Sequence, residues 1–162
     1  MDETKTIFKG VRFNLLQKGR TQWVDHPGAV VILPLLDETR VVMIRNFRVA
    51  VDQELWELPA GTLEPDEPPL TTAFRELEEE TGYVAQEMES LPSYYMSPGI
   101  NNEVMYPYIA RNLTLKQQNL DEGEQIRVEV VTWPDLLKLI QNGTVKDAKT
   151  ITTCLYYRQN KV

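Results

Sequence analysis

Four glutamates crowd the middle of the chain: Glu76, Glu78, Glu79 and Glu80. If they share a helix, carboxylates one turn apart repel each other by roughly 0.2–0.5 kcal/mol. A divalent cation with oxygen ligands would offset that repulsion. The alternative is a solvated acidic helix face, which is the usual reading of an arbitrary acidic run. The metal-binding interpretation is favoured by what surrounds the cluster.

A helical wheel sorts these acids by direction. At about 100° per residue, the stripe that should pack on the core holds four residues: Leu70, Ala73, Phe74 and Leu77. Glu76 and Glu80 lie together on the flank of this stripe, with Glu79 a little further out. Glu78 points nearly the opposite way. Arg75 stands four residues before Glu79 and three before Glu78, so its guanidinium can hold a carboxylate in position.

Two glycines and a proline-rich loop frame this helix. Gly61 and Gly82 stand on either side of it, and glycine allows tight turns and close backbone approach. The segment 64–69 could pass for a domain linker. Its place directly before the helix instead predicts a rigid loop that starts the helix at Pro68 or Pro69. A solvated acidic face would explain none of this framing.

With its flanks included, the stretch resembles the Nudix box of the Nudix hydrolase family. The matching pattern is Gly61-x5-Glu67-x7-Arg75-Glu76-Leu77-x-Glu79-Glu80-x-Gly82-Tyr83. Every specified position matches except the last, where the family usually has an aliphatic residue and this chain has a tyrosine. The resemblance covers about residues 19–157. It implies hydrolysis of a diphosphate bond with Mg²⁺, for which Mn²⁺ can substitute.

The resemblance also implies a role for each residue of the box. Glu76 and Glu80 would be the main metal ligands. Glu79 would complete the ligand set and lie at the catalytic centre. The carbonyl of the residue just before the box glycine is a metal ligand in the family, and that residue is Ala60. Arg75 and Gly61 would hold the ligands in place.

Motifs outside the box resemble the ADP-ribose pyrophosphatase branch of the family. The entry to the box reads Trp56-Glu57-Leu58-Pro59-Ala60-Gly61. A proline sixteen residues past Gly82 marks that branch, and Pro98 stands there. The loop Asp121-Glu122-Gly123-Glu124 resembles the acidic loop that supplies the catalytic base. Glu122 is therefore implied as the base, with Glu124 as the alternative or an extra ligand.

The same branch implies the substrate contacts. Arg48 matches an arginine that contacts the diphosphate, and a planar guanidinium suits phosphate oxygens. Trp23 matches a tryptophan that stacks on adenine in some relatives, in a site shared between two subunits. Three further residues complete the implied substrate-binding set: Glu57, Pro98 and Gly99. The chain departs from the family at His26, where relatives often carry an arginine.

Three functions are compatible with these motifs. The first is Mg²⁺-dependent hydrolysis of ADP-ribose to AMP and ribose 5-phosphate. The second is hydrolysis of a nucleoside diphosphate hexose such as GDP-mannose or ADP-glucose. The segments that resemble this second branch at least as closely are Tyr95-Met96-Ser97-Pro98-Gly99 and Lys146-Asp147-Ala148-Lys149-Thr150. The third is a nucleotide-sensing domain without catalysis, which the complete set of box carboxylates disfavours.

Composition excludes several other classes of protein. A net charge of −7 over 162 residues argues against nucleic acid as the main partner. The lone histidine, His26, excludes sites built on two imidazoles. The lone cysteine, Cys154, can form no internal disulfide and is expected as buried filler in a reducing compartment. The longest apolar run, 29–36, is too short to span a membrane, and no leader opens the chain. We expect a soluble cytoplasmic protein.

The elements that must position these residues follow from periodicity and from turn residues. Hairpins are expected from residues 8–16 with 21–24, and from 29–36 with 41–45. Shorter strands are expected at 55–58, 88–96, 104–110 and 126–132. Helices are expected at 69–81, 134–141 and 147–159, the last with Asp147 as its N-cap.

This order of elements favours an α+β fold in a single domain, residues 1–162. It agrees with the Nudix fold, a mixed β-sheet sandwiched between α-helices. Residues 1–26 would form an N-terminal β extension, an antiparallel hairpin or sheet. The resemblance implies that this extension makes the contact of a homodimer.

Overall fold

The computed structural model describes residues 2–120, 123 and 125–159. The strands in these ranges are β1 (Lys5–Lys9), β2 (Asn14–Lys18), β3 (Thr21–Asp25), β4 (Ala29–Pro34), β5 (Arg40–Arg48), β6 (Gln53–Glu57), β7 (Ala60–Thr62), β8 (Tyr83–Ser90), β9 (Tyr94–Tyr95), β10 (Val104–Leu115) and β11 (Ile126–Thr132). The helices are α1 (Pro69–Thr81), α2 (Trp133–Gln141) and α3 (Ala148–Gln159), with a 3-10 turn at Val49–Val51.

The strands form three sheets. The N-terminal sheet is antiparallel, in the order β1-β2-β3. The central sheet has the order β7-β4-β10-β8, with β9 paired to the end of β10. Its β4 and β10 run parallel while its other pairs are antiparallel, so this sheet is mixed. The third sheet, β11-β5-β6, is antiparallel. Mixed sheets with three helices confirm the expected α+β class.

Strand β4 carries the core, because all six of its residues are buried. Val31 and Leu33 face a cluster that includes Leu136 of α2 and Cys154 of α3. The alternate residues of β4, Val30 and Ile32, face a second cluster that includes Ala73 and Leu77 of α1. A strand buried on both faces reads as a continuous apolar run, which explains the unbroken stretch in the sequence. The central sheet is thus covered by α1 on one face and by α2 and α3 on the other.

Local hydrogen bonds start the two later helices. The hydroxyl of Thr132 accepts the N–H of Asp135 at 3.3 Å before α2. Asp147 caps α3, accepting the N–H of Thr150 at 3.0 Å and its hydroxyl at 2.6 Å. This confirms the predicted N-cap and places the helix start at Ala148. No helix in the described ranges is long and apolar enough to cross a bilayer.

Two of the expected strands are divided in the structure. Residues 8–16 form parts of β1 and β2, separated by a turn in which Gly10 N–H donates to the carbonyl of Phe13 at 3.0 Å. The apolar residues in this turn, Val11 and Phe13, are exposed, so apolarity misled the strand assignment. Residues 88–96 span the end of β8 and the separate strand β9. Strand β8 begins earlier than expected, at Tyr83, and only one residue separates it from the end of α1. Strand β7 was not expected at all.

Helix α1 has the expected bounds but a different buried face. Ala73 and Leu77 are fully buried, whereas Leu70 is 45% exposed. The helical angle of Leu70 points its side chain toward the buried side. Leu70 nevertheless lies in the first turn of α1, where its side chain remains partly exposed. Thr72 and Thr81 are buried instead. Their hydroxyls are hydrogen-bonded locally, to Glu67 and to the Leu77 carbonyl, so burying them leaves no polar atom unpaired.

Paired truncations test this view of α1. Leu77→Ala should lower the free energy of unfolding by about 2–5 kcal/mol, because it opens a cavity between the helix and β4. Leu70→Ala removes the same atoms from a half-exposed site and should cost less than about 1 kcal/mol. Urea unfolding followed by circular dichroism measures both values. Equal losses in the two variants would mean that Leu70 packs in the core after all.

Candidate active site

The carboxylates of α1 line a cavity of about 980 Å³. One wall is the exposed flank of α1 with β7 and the loop that follows it. Further lining residues come from the end of β5, from the start of α3 and from the β1–β2 turn. Four residues of α1 line it: Arg75, Glu76, Glu79 and Glu80. These are the three acids that the helical wheel grouped, together with their arginine.

Glu76 lies directly against the backbone at Gly61. A β-carbon built on that glycine would overlap the Glu76 carboxylate, so any other residue there would displace it. The Glu76 side chain is 14% exposed. The box glycine is thus explained by a close approach of side chain to backbone, one of the two roles expected for it.

Glu80 is tied to the residue before this glycine. Its Oε2 atom accepts the backbone N–H of Ala60 at 2.8 Å, and Glu80 is 3% exposed overall. Strand β7 therefore holds the carboxylate of Glu80 through Ala60 and packs that of Glu76 against Gly61. The helix and the strand are brought together at the point where the metal ligands were expected.

Arg75 gathers three of the carboxylates around one guanidinium. Its Nε and Nη2 donate to the two oxygens of Glu67, at 3.2 and 3.0 Å. Its Nη1 donates to Glu76 at 2.9 Å and to Glu79 at 2.8 Å. Hydrogen bonding to Glu67 is the largest of the effects that raise the pKa of Arg75. The same contact lowers the pKa of Glu67. Of the two partners expected from the helix spacing, Arg75 bonds Glu79 and not Glu78, and it also bonds Glu67 and Glu76.

Glu78 stands apart, as the wheel predicted. Its carboxylate bonds Lys116 Nζ at 3.2 Å, and its side chain is 43% exposed. It does not line the cavity. Glu78 is therefore a matched control for its neighbours on the same helix.

The oxygen donors of this cavity fit a hard divalent cation. Carboxylates on α1 and the backbone at Ala60 supply the oxygen ligands that Mg²⁺ prefers. Within the described ranges, no three acidic, histidine or cysteine side chains already converge on one point. A bound cation would therefore share Glu76 and Glu79 with Arg75, which holds both of them in reach.

The residues just before the acidic loop are hydrogen-bonded to the end of α1. Asn119 N–H donates to the carbonyl of Glu79 at 3.0 Å, and Gln118 Nε2 donates to that of Glu80 at 2.6 Å. Gln118 Nε2 also reaches the carbonyl of Ile126, at 3.4 Å. The two glutamates expected as base and alternative, Glu122 and Glu124, lie outside the described residues. Both described ends of their loop are nevertheless fixed beside the carboxylate helix.

Arg48 rests on a buried ionic cluster. Its Nε and Nη2 form a bidentate pair with Glu57, at 2.8 and 2.6 Å. Lys149 Nζ donates to the same carboxylate at 2.7 Å and to Asp147 at 2.9 Å. Glu57 is fully buried, so it lies beneath Arg48 and not at the cavity wall. It positions the arginine that faces the cavity.

The pKa of Glu57 follows from this arrangement. Burial alone would raise it, because the charged form loses its hydration. Hydrogen bonds from Arg48 and the charge of Lys149 outweigh burial, so the pKa lies below the ordinary value of 4.5. Glu57 is therefore ionised wherever the protein works near neutral pH.

Three of the expected substrate contacts lie elsewhere in this chain. Trp23 is half-buried on β3 and does not line the cavity. Pro98 and Gly99 are exposed on a turn that pairs with β3, where Val24 N–H donates to the Ile100 carbonyl at 2.8 Å. The substrate-binding roles of these three residues stay predictions. The residues lie on or next to β3 and do not line the cavity of their own chain.

Sequence reasoning missed some of the cavity's charged residues. Lys149 was noted only as part of a branch motif, Asp147 as part of that motif and as a helix cap but not as a cavity residue, and Arg12 was not noted. Asp147 carried a visible signal as a helix cap. Lys149 carried none, since its partner Glu57 stands 92 residues away.

Comparison with known proteins then decides the family. The sequence model of the NUDIX domain matches residues 25–154. The chain belongs to the Nudix family. Helix α1 with the loop before it is its Nudix box, and Nudix enzymes generally need a divalent metal ion.

Several curated Nudix relatives are similar over most of their length. The ADP-ribose pyrophosphatase of Bacillus subtilis (strain 168) is 42% identical over 135 residues, which cover 82% of this chain and 73% of that protein. The methanol dehydrogenase activator of Bacillus methanolicus is 37% identical, over 86% of this chain and 77% of that one. A GDP-mannose pyrophosphatase of Escherichia coli O1:K1 is 33% identical, over 82% and 74%.

A solved structure shares the Nudix fold. A crystal structure described as an ADP compounds hydrolase superposes with a TM-score of 0.80 at 20% identity. The match covers 97% of this chain and 90% of that one. It confirms the expected fold.

Glu57→Gln should destabilise the Nudix domain by roughly 3 kcal/mol at pH 7, because Arg48 and Lys149 lose a buried counter-charge. The half-exposed Glu54, which pairs with Arg45 and Arg127 on the third sheet, is the control. Glu54→Gln should cost less than about 1 kcal/mol. Urea unfolding at pH 7 compares the two.

The pH dependence gives a second check. The pKa of Glu57 is lower in the folded than in the unfolded protein, so its contribution is complete above the ordinary value of 4.5. It is lost as the pH falls through the folded pKa. The gap in unfolding free energy between wild type and Glu57→Gln should therefore stay constant above that value and shrink below it. A gap that does not change with acid pH would contradict this account.

Proposed function

We propose that this protein hydrolyses the diphosphate bond of ADP-ribose, giving AMP and ribose 5-phosphate, with Mg²⁺ as the preferred metal and Mn²⁺ as a substitute. The observation that carries the proposal is the placement of Glu76, Glu79 and Glu80 on one cavity wall against β7. The 42% identity to an ADP-ribose pyrophosphatase supports the choice of substrate.

In this proposal, Glu76 and Glu80 are the main metal ligands. Glu79 and the carbonyl of Ala60 complete the set. Bound Mg²⁺ would neutralise the phosphate oxygens and acidify a water molecule. Arg75 keeps Glu76 and Glu79 aligned, and β7 keeps Glu80 aligned through the N–H of Ala60. Since these carboxylates are held before substrate arrives, little reorganisation is needed during the reaction.

The proton acceptor in this proposal is Glu122, with Glu124 as the alternative or an extra ligand. Loops positioned by a rigid scaffold often carry catalytic groups. The hydrogen bonds from Gln118 and Asn119 to the carbonyls of Glu80 and Glu79 support this assignment, because the two donor residues stand only a few positions before Glu122 in the sequence. Glu122 would take the proton of the attacking water.

Arg48 is proposed to bind the diphosphate. Its side chain is 39% exposed and lines the cavity, while the buried Glu57 bonds its guanidinium. Trp23, Pro98 and Gly99 are proposed to contact the nucleoside across a subunit interface, since they do not reach their own cavity. This proposal requires a homodimer in which the N-terminal sheet makes the contact. Each subunit is proposed to be a single domain spanning residues 1–162. Sedimentation as a monomer at micromolar concentration would exclude the homodimer.

A second substrate class has specific support. GDP-mannose pyrophosphatases are 33% identical over most of the chain. The segment from Lys146 to Thr150 resembles that branch, and it contains Asp147 and Lys149 at the cavity wall. A non-catalytic sensing role is disfavoured, because every box carboxylate is present and placed. We further propose a reducing, cytoplasmic location, as the single Cys154 can form no internal disulfide.

Turnover of ADP-ribose, ADP-glucose and GDP-mannose by the purified chain with Mg²⁺ tests the function. We expect the highest kcat/KM for ADP-ribose. Glu80→Gln should lower hydrolysis by at least about 10²-fold, as the loss of a charge-stabilising ligand does in other enzymes. Glu78→Gln on the same helix should be nearly silent.

Two outcomes would contradict these assignments. A clear preference for GDP-mannose would move the protein to the second branch and leave the metal site unchanged. Equal losses in Glu78→Gln and Glu80→Gln would show that the geometric sorting of the box acids is wrong.

Glu122→Gln should lower kcat strongly and leave KM near the wild-type value, since a base is not needed to bind substrate. Raising the pH should partly restore its rate, because hydroxide can replace base-assisted water. Glu124→Gln should have a smaller effect. If Glu124→Gln is inactive and Glu122→Gln is not, the base is Glu124. If both variants turn over normally, the base lies outside this loop.

A further inference from the structure

Arg12 lies in the tight β1–β2 turn at the edge of the proposed catalytic cavity. The turn is closed by the hydrogen bond from Gly10 N–H to the Phe13 carbonyl, 3.0 Å long. A β-carbon at Gly10 would stand 2.5 Å from that carbonyl oxygen and 3.1 Å from the ring of Phe8. Only glycine fits there without a shift, so the local backbone determines where Arg12 lies.

Arg12 also lies where two cavities meet. With Val11 and Pro27 it lines both the large cavity and a smaller one of about 280 Å³. The smaller cavity continues along Asn14, Asp25 and His26 at the end of β3. Arg12 is the charged residue among the three that line both cavities.

The charge of the large cavity makes Arg12 distinctive. Among the described residues, eight carboxylates and four cations line it. Three of those cations are already neutralised: Arg48 by Glu57, Arg75 by three glutamates, and Lys149 by Glu57 and Asp147. Within the described part of the chain, Arg12 makes no ion pair.

A diphosphate brings further negative charge into a cavity that is already acidic. Arg12 adds a guanidinium to the lining of this cavity, and guanidinium groups pair with phosphate oxygens in a bidentate way. Among the described residues, Arg12 has no ion-pair partner that a phosphate would have to displace.

We propose that Arg12 is a substrate-binding residue that pairs with the diphosphate of a nucleoside diphosphate derivative in this cavity. This inference rests on the proposed function. It assigns Arg12 to binding and not to the chemical step, because Arg12 belongs to the β1–β2 turn, whereas the proposed metal ligands belong to α1 and β7.

The test is a set of three variants assayed with ADP-ribose and Mg²⁺. Arg12→Ala should raise KM by about 10-fold or more and leave kcat within about 2-fold, as expected for a lost hydrogen bond to a charged group. Arg12→Lys should restore part of the loss, because it keeps the charge but not the bidentate geometry. Arg20→Ala is the matched control, since Arg20 is an exposed arginine of the same sheet that lines neither cavity.

Salt adds a readout that a structural role would not move. Added NaCl screens exposed charges, so it should raise KM more steeply for wild type than for Arg12→Ala. Thermal unfolding should be unchanged in Arg12→Ala. An active Arg12→Ala enzyme with the wild-type KM and salt response would overturn the inference and leave the proposed function intact.

Direct binding separates this inference from the function. If wild type hydrolyses none of the three substrates, the proposed function fails. Calorimetry with ADP-ribose and Mg²⁺ then tests the assignment of Arg12 separately from catalysis. Weaker binding of ADP-ribose by Arg12→Ala than by Arg20→Ala would support the assignment. Equal binding by the two variants, or no binding by wild type, would overturn it.

Discussion

The site depends on holding several negatively charged carboxylates close together beside a buried β-sheet. Glu67, Glu76 and Glu79 all bond one guanidinium, that of Arg75, and Glu80 is bonded to the backbone of β7. Without these contacts the carboxylates would repel each other and turn to solvent. With them, the acids are held in one direction by contacts within the protein itself.

This arrangement requires a rigid floor, which the doubly buried strand β4 provides. It pairs with β7 on one side and with β10 on the other, and α1 packs on one of its faces. The backbone at Gly61 and the side chains of α1 therefore meet across elements that share one core. Gln118 and Asn119, which follow β10, are hydrogen-bonded to the carbonyls of Glu80 and Glu79 at the end of the same helix.

The sequence was most informative where the determinants are local. The bounds of α1, the direction of Glu78 and the Asp147 cap each follow from residues within a few positions of each other. The family pattern identified the box, and the structure brings its acids together on one cavity wall. Local periodicity was misleading at Leu70, since it gives the angle of a side chain and not how far the neighbouring sheet extends.

Features that depend on long-range contact could not be predicted in this way. Lys149 meets Glu57 across 92 residues, and neither residue alone signals an ionic cluster. The turn that presents Arg12 was taken for part of a strand, because its apolar residues suit either structure. The position of Trp23, Pro98 and Gly99 likewise follows from how β3 docks on a distant turn, which no local pattern records.

The environment of Cys154 has a practical consequence for labelling. Burial raises the pKa of its thiol to about 12, and it is fully enclosed within the core. The raised pKa disfavours the thiolate, which is the reactive nucleophile, and burial keeps reagents away from the sulfur. A cysteine introduced on the surface would therefore react with maleimide or iodoacetamide reagents almost alone. Fluorescent or spin-label probes can be attached at one chosen position without first replacing the native thiol.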